Sequence, residues 1–152
     1  MGVESDRIVV KKDRQIMIVK LLDEEYPDYD YVIPQITGTI VKLNRHELLN
    51  TLRRVAIFST EKFKGIKFFV LPDKIEFVSE NPELGDAKEF LEVEVGEDIS
   101  LEIGFNPRFF IEALTAMTSE LVNINFTATE GPCIVTGDND PGYLSVMMPM
   151  KI

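Results

Sequence analysis

The chain divides at Tyr-Pro-Asp-Tyr-Asp-Tyr-Val-Ile-Pro, residues 26–34. Each of its two prolines fixes φ and pushes the preceding residue toward extended backbone, so neither a helix nor a central strand continues through it. A flexible linker would be rich in glycine and serine, whereas this stretch carries three tyrosines whose rings need a surface to pack against. We therefore predict an ordered connector between a short N-terminal piece, residues 1–25, and one C-terminal domain, residues 35–152.

The N-terminal piece has the pattern of a β-hairpin. Two short runs rich in isoleucine, valine and methionine, at residues 7–12 and 15–22, flank a charged turn. Two strands alone are marginal in water, so this hairpin needs a partner sheet. It either packs on the following domain or ends a domain that begins upstream. The second reading is favoured, because a hairpin ahead of a connector has little core of its own.

Composition narrows the class of protein. With 152 residues, 45% hydrophobic and 28% charged, the chain has the size and balance of one soluble domain with a real core. No apolar run approaches the roughly 20 residues that span a bilayer. The single cysteine, Cys133, excludes an internal disulfide and fits a reducing cytoplasm. The net charge of −10 argues against a protein that coats nucleic acid with its whole surface, although it permits a small basic face.

The C-terminal domain repeats one pattern. A strand at residues 37–43 leads into Asn44, a helix N-cap, and a strand at 99–105 leads into Asn106, a second N-cap followed by Pro107 at the first helical position. The two caps are one repeat length apart (106 − 44 = 62). Each helix has one apolar face at helical spacing. These faces comprise Leu48, Leu49, Leu52, Val55 and Ala56 in the first helix and Phe110, Ile111, Leu114 and Met117 in the second.

Three further strands follow each helix. They are predicted at residues 66–71, 74–79 and 87–95 in the first copy, and at 121–127, 133–136 and 143–148 in the second. The domain is thus a duplicated βαβββ unit of the α+β class, with two helices side by side on one face of antiparallel sheets. Their outward faces would form one polar surface with several arginines, which is either an ordinary solvated face or one that contacts DNA.

The chain end resembles a known family. Val-Met-Met-Pro-Met-Lys-Ile, residues 146–152, resembles the C-terminal signature of the bacterial DNA polymerase III β subunit, the sliding clamp. The connector at 26–34 resembles the one between the clamp's second and third domains. Ser-Thr-Glu-Lys-Phe-Lys-Gly at 59–65, Asn-Pro-Glu at 81–83 and Glu-Ile-Gly-Phe-Asn at 102–106 resemble third-domain landmarks in the same order. The resemblance extends from about Arg7 to the end.

The resemblance implies a DNA-clamp fold and a non-enzymatic role in DNA replication. In the family, two protomers form a ring around duplex DNA, and a hydrophobic groove docks the polymerase III catalytic subunit, the clamp loader and other clamp-motif proteins. It implies a cytoplasmic, nucleoid-associated protein without a membrane segment, cofactor or metal. Residues 1–25 would be the last hairpin of the middle domain, which makes the chain a C-terminal segment. The alternative is a free-standing short form that binds client peptides without encircling DNA.

The resemblance also assigns roles to residues. Flexible, polarizable methionines suit a groove that serves several ligands. The client-peptide groove would include Pro27, Val32, Asn106, Phe109, Pro132, Val146, Met148, Pro149, Met150 and Lys151. The subunit interface would include Ile57, Phe58, Glu83 and Glu89. The DNA-facing residues would be Arg54 and Arg108, with Arg53 and Arg45 beside them.

No residue pattern indicates catalysis. His46 is the only histidine, and nothing in the sequence pairs it with a nucleophile. The acidic stretch at residues 138–140 is too short for a calcium loop and is typical of a turn. There is no glycine-rich phosphate loop and no metal-ligand spacing. We therefore predict no catalytic residues.

Overall fold

The computed structural model describes residues 2–4, 6–23, 28–29, 33, 38–60, 65–96, 99–127 and 130–151. The chain forms two compact units, Met1–Val32 and Ile33–Ile152. Within the described ranges, no helix has the length and apolar composition needed to cross a membrane.

The described part of the first unit is a three-stranded antiparallel sheet in the order β1-β2-β3. Its strands are β1 (Gly2–Glu4), β2 (Arg7–Lys12) and β3 (Gln15–Lys20). The predicted hairpin is confirmed, but β1 is a third strand that the apolar pattern did not reveal. The last strand ends at Lys20 rather than at residue 22. Beyond it, the Leu21 N–H donates to the Asp6 carbonyl, 2.8 Å away.

The described part of the second unit follows the predicted order of elements. The first copy contains β4 (Thr39–Asn44), α1 (Arg45–Val55) with a 3₁₀ turn at Ala56–Phe58, β5 (Ile66–Val70), β6 (Lys74–Asn81) and β7 (Gly85–Glu92). The second copy contains β8 (Leu101–Phe105), α2 (Pro107–Ala116), β9 (Leu121–Phe126), β10 (Cys133–Gly137) and β11 (Leu144–Met147). The duplicated βαβββ unit is confirmed.

The two copies exchange their first strands. The sheets have the orders β11-β10-β9-β4 and β7-β6-β5-β8, and all neighbours are antiparallel. β4 of the first copy pairs with β9 of the second, with Val41 opposite Ile124. Likewise β8 pairs with β5, with Ile103 opposite Phe68. Because each sheet takes a strand from both copies, neither copy can complete its ladder alone.

Both helices start at the predicted asparagines. The Asn44 side chain accepts from the backbone N–H groups of His46 (2.9 Å) and Glu47 (3.2 Å), and the Asn106 side chain accepts from the Arg108 N–H (3.1 Å). These bonds satisfy donors that a helix start otherwise leaves free. The predicted apolar faces are buried, except that Ala56 and Ile111 are half-buried.

The boundaries of β7 differ from the prediction. The Asn81 side chain accepts from the N–H groups of Glu83 (3.0 Å) and Leu84 (3.2 Å), which makes a tight turn. Gly85 follows with φ of +99°, a value that favours glycine, and the strand starts there instead of at residue 87. At the other end, the Val93 N–H donates to the carbonyl of Asp73, in the β5–β6 turn. The strand therefore stops at Glu92 rather than at residue 95.

Five phenylalanines join the sheets and a helix in the core. The ring of Phe68 lies 4.8 Å from that of Phe77, 5.1 Å from that of Phe105 and 5.0 Å from that of Phe110, measured between centroids. Phe105 also lies 6.4 Å from Phe126. All five side chains are fully buried. Because they come from both copies, this cluster ties the exchanged strands together.

Candidate functional site

The C-terminal tail crosses from one sheet to the other. Met147, the last residue of β11, is buried, whereas Met148 is 66% exposed. Two residues later, the Met150 N–H donates to the Gly104 carbonyl on β8, 2.9 Å away. This bond holds the tail against the edge of the second sheet. The methionine and proline side chains therefore stand on a fixed backbone.

A depression of about 520 Å³ lies between α2 and the tail. Phe109, which is 55% exposed, and Met148 line it together with Val146. Its other lining residues are Glu112, Ala113, Tyr143, Ser145 and Met147. The Tyr143 hydroxyl donates to the Ala113 carbonyl, 3.1 Å away, and so fixes the start of β11 against α2.

Among the residues that the structure describes, two further cavities adjoin this region. One of about 340 Å³ has Pro149, Met150 and Lys151 on one side and β8 on the other, with Glu130 at its wall. Another of about 690 Å³ lies at the start of α2 and is lined by Asn106 and Phe109. Phe109 thus borders both the first depression and the one at the helix start.

The structure brings seven of the predicted groove residues to these three cavities. They are Asn106, Phe109, Val146, Met148, Pro149, Met150 and Lys151. Pro132 does not line any of the three, and its carbonyl accepts from the Thr127 hydroxyl, 2.7 Å away. Pro27 and Val32 lie outside the described residues. Glu112, Ala113 and Tyr143 line the first depression but are not among the predicted residues, although the first two lie three and four residues after Phe109 and therefore on its helix face.

The predicted DNA-facing arginines fall into two groups. Arg45 donates to the carbonyls of Ser119 (2.6 Å) and Leu114 (3.0 Å), so it caps the end of α2 and is half-buried. Arg54 makes a two-pronged ion pair with Glu89 on β7, with both N–O distances 2.9 Å. Arg53 and Arg108 are exposed, and no hydrogen-bond or ionic partner is found for them among the described residues.

The predicted subunit-interface residues surround the end of α1. Ile57 is 70% exposed in the 3₁₀ turn, and Phe58 beside it is half-buried. The Asn81 side chain donates to the Phe58 carbonyl, 2.8 Å away, and so attaches this turn to the β6–β7 turn that contains Glu83. The ion pair with Arg54 lowers the pKa of Glu89. The Glu89 carboxylate is therefore held on α1 within the same chain.

His46 lies beside Arg45, with 3.1 Å between its ring nitrogen and the guanidinium. It is exposed at the start of α1. Among the residues that the structure describes, no group of three or more His, Cys, Asp or Glu side chains is placed to hold a metal ion.

The loop before β11 depends on Asp140. Its carboxylate accepts from the backbone N–H groups of Thr118 (3.0 Å) and Ser119 (2.9 Å) and from the Thr118 hydroxyl (2.6 Å). Hydrogen bonds from the Ser119 and Thr118 side chains and backbones hold the pKa of Asp140 well below its usual range. This carboxylate therefore fixes the turn that positions Tyr143 and the tail.

We expect Asp140→Asn to lower the melting temperature at pH 6, because an amide cannot accept from all three donors. A depressed carboxyl pKa contributes stability that is fully present above the unfolded pKa of about 3.9 and is lost as the pH falls through the folded value. The difference between the two proteins should therefore narrow progressively below about pH 4. Thermal unfolding followed by circular dichroism from pH 6 to pH 3 measures this. Asp86→Asn, an exposed change of equal charge, is the control, and a difference constant with pH would contradict the role of Asp140.

Comparisons of the sequence with a family model and with curated proteins find the same family. Residues 30–151 match the family model for the DNA polymerase III beta subunit, C-terminal domain. The beta sliding clamp of Chlamydia pneumoniae is 34% identical over 149 residues, which are 98% of this chain and 40% of that protein. The beta sliding clamp of Pseudomonas putida is 33% identical over 135 residues, covering 88% of this chain and 36% of that protein.

Solved structures agree with the sequence matches. The DNA polymerase III beta subunit of Thermotoga maritima superposes with a TM-score of 0.81 at 28% identity, covering 99% of this chain and 41% of that one. A sliding clamp from Pseudomonas aeruginosa bound to griselimycin superposes with a TM-score of 0.80 at 28% identity, covering 97% and 40%. The chain spans about two fifths of the length of the curated relatives it matches.

Proposed function

The chain belongs to the DNA polymerase III beta subunit family, and we propose that it is a non-catalytic part of a sliding clamp that keeps the replication machinery on DNA. In this proposal the chain contributes the C-terminal domain of a ring around duplex DNA in the bacterial cytoplasm. It docks the polymerase, the clamp loader and repair proteins through a short peptide segment of each. The second unit of the fold supplies one wall of that docking groove.

The exposed apolar pair of Phe109 and Met148 is the observation that carries the proposal. Two large apolar side chains stand more than half exposed on the lining of one depression. Exposed apolar patches rimmed by polar residues mark binding sites more often than ordinary surface. Here the rim contains Glu112 and Ser145. A peptide with leucine or phenylalanine anchors would bury both side chains.

The tail supports an adaptable groove. Methionine has three rotatable side-chain bonds and a polarizable sulfur, so one surface can fit several different anchors. Pro149 and the bond from the Met150 N–H to the Gly104 carbonyl keep the backbone fixed while the side chains adjust. A rigid frame with adaptable side chains suits a site that serves several partners.

The direct test is binding of a fluorescent peptide of the Gln-Leu-x-Leu-Phe type to the 152-residue chain. We expect saturable binding, and we expect Met148→Ala to weaken it by about tenfold or more, because truncating a central anchor contact removes buried apolar area. Fluorescence anisotropy measures both affinities. The mutated side chain is exposed, so the fold should be unaffected.

Leu84→Ala provides the matched control. Leu84 is also an exposed large apolar residue, but it lies in the β6–β7 turn and lines none of the three cavities. Its substitution should leave the affinity unchanged. Absence of binding to the native chain, or equal affinity in native and Met148→Ala proteins, would count against a docking site at this depression.

Contact with DNA would rest on Arg53 and Arg108. These two side chains are exposed on the helices, so each can reach a phosphate without losing an internal bond. Arg54 would first have to leave Glu89, and Arg45 would have to uncap α2. Such contacts are independent of DNA sequence and weaken as salt concentration rises.

Assembly into a ring would use the surface around Ile57. This side chain is largely exposed, as are Leu84 in the β6–β7 turn and Phe90 on β7. An unpaired apolar surface of this kind favours association. Within the chain Glu89 pairs with Arg54, so an ionic contact between subunits through Glu89 would compete with that pair.

A further inference from the structure

The tail carries three methionines within four residues, and each has a different environment. Met147 is buried in the core of the second unit. Met148, the next residue, is 66% exposed on the lining of the depression between α2 and the tail. Met150 is half-buried where its N–H donates to the Gly104 carbonyl. A reagent in solvent therefore reaches the Met148 thioether far more readily than the other two.

The exposed thioether of Met148 can be oxidised by hydrogen peroxide. The sulfur lone pair attacks one peroxide oxygen, so that an S–O bond forms and the O–O bond breaks. The sulfur loses two electrons, and the other peroxide oxygen leaves as water with both protons. The product is a sulfoxide, which replaces a flexible apolar side chain with a polar one.

We propose that Met148 is a site of reversible oxidation by peroxide, and that its sulfoxide weakens the binding of client peptides at this depression. The inference rests on the docking function proposed above. A leucine or phenylalanine anchor packed on Met148 would bury the sulfoxide oxygen, and a buried polar group without a hydrogen-bond partner disfavours the bound state. Reductases specific for the two sulfoxide epimers restore the thioether, so the change is reversible.

The polar side chains of the lining offer the sulfoxide oxygen little compensation. The Glu112 carboxylate is an acceptor, as the sulfoxide oxygen is, and the Tyr143 hydroxyl already donates to the Ala113 carbonyl, 3.1 Å away. The Ser145 hydroxyl is the remaining side-chain donor among the described lining residues, and it lies at the rim, where water competes for it. Oxidation therefore adds an acceptor to an apolar contact surface that has no free donor within it.

The other sulfur atoms provide internal controls. Met117 is buried. Cys133 is the only cysteine, and burial raises the pKa of its thiol to about 12, so almost none of it is the reactive thiolate at neutral pH. Met17 on β3 is 57% exposed in this chain and is not among the described lining residues of the three cavities. It should therefore be oxidised without affecting the depression.

Peptide mapping by mass spectrometry measures where hydrogen peroxide acts on the folded 152-residue chain. We expect the sulfoxides of Met148 and Met17 to form about tenfold or more faster than those of Met117 and Met147. A saturating clamp-motif peptide should slow the oxidation of Met148 and leave that of Met17 unchanged, because a modification that weakens binding must in turn be disfavoured by binding. Equal rates at Met147 and Met148 would overturn the proposal.

Fluorescence anisotropy with the Gln-Leu-x-Leu-Phe type peptide measures the effect of oxidation on docking. We expect the peroxide-treated native chain to bind about tenfold or more weakly than the untreated chain, and to regain its affinity after treatment with both sulfoxide reductases. Met148→Leu should have one affinity before and after peroxide, because leucine has no sulfur at that position. Met17→Leu and Met150→Leu should remain sensitive to peroxide.

The outcomes separate this inference from the docking function on which it rests. If the untreated native chain does not bind the peptide, the docking function fails and the inference fails with it. If the untreated chain binds but its affinity survives oxidation of Met148, the docking function stands and the inference is overturned. The same holds if Met148→Leu loses as much affinity on treatment as the native chain. Circular dichroism confirms that the treated chain is folded, which is expected because Met117 and Met147 are buried.

Discussion

Replacing Phe68 with alanine is expected to lower the free energy of unfolding of the second unit by about 3–5 kcal/mol. Phe68 is fully buried on β5, and its ring contacts those of Phe77, Phe105 and Phe110 at 4.8–5.1 Å between centroids. The loss combines the transfer free energy of the ring with the cavity left among three other rings. Phe105 and Phe110 belong to the other copy of the repeat, so the cavity would also weaken the contact between copies.

Urea denaturation followed by circular dichroism measures this loss. Phe90→Ala is the matched control, because Phe90 lies on β7 of the same sheet but is exposed, with the Lys74 ammonium 5.9 Å from its ring centroid. We expect it to cost less than about 1 kcal/mol. If Phe68→Ala cost no more than the control, the aromatic cluster would not be the core of the unit.

Replacing Asn125 with leucine is expected to raise the free energy of unfolding by about 1–3 kcal/mol. Asn125 is 4% exposed on β9, and neither its amide nitrogen nor its amide oxygen has a hydrogen-bond partner among the described residues. Its cross-strand neighbours are Ile40 and Ile134. A buried polar group without a partner loses its hydration and gains nothing in return. Leucine has a similar shape and would bury apolar surface there.

The control for this substitution is Asn123→Leu, at a position two residues away on the same face of β9. Asn123 donates from its side chain to Asp138, 2.8 Å away, so Asn123→Leu should lower stability. The two substitutions should change the free energy of unfolding in opposite directions. Because both replace asparagine with leucine on the same strand, such a result would show that the hydrogen bonding of the amide, and not the strand propensity of leucine, causes the difference. A loss of stability in Asn125→Leu would contradict the absence of a partner for that amide.

The architecture of the second unit could be predicted largely from the sequence. Asn44 and Asn106 mark the helix starts, and the apolar faces at helical spacing are buried as expected. These features depend on hydrogen bonds and periodicity within a few residues, so local sequence carries the information. The limits of β7 were misplaced because they depend on the Asn81 side chain and on the bond from Val93 to Asp73, on the turn before β6.

The candidate site could be predicted in part. The Met-Met-Pro-Met tail and Phe109 were identified from the resemblance, and the structure places them on adjoining cavities. Tyr143 was missed, because its bond to the Ala113 carbonyl joins residues far apart in sequence. The sequence also could not predict which arginines are bound within the chain and which are free in solvent. A guanidinium that caps a helix and one that is free in solvent have the same sequence signature.

The sequence by itself determined the repeat, the helix starts, the strand pattern and the family, since each follows from residue types at fixed short spacings. Only the tertiary structure decided that the copies exchange their first strands, that Arg45 and Arg54 are bound within the chain, and that Phe109 and Met148 line one depression. Those outcomes depend on which distant surfaces bury the most apolar area together while leaving the fewest polar groups unpaired. The free energies of burying apolar area and of leaving polar groups unpaired depend on how the whole chain packs, so they cannot be read from any local stretch of sequence.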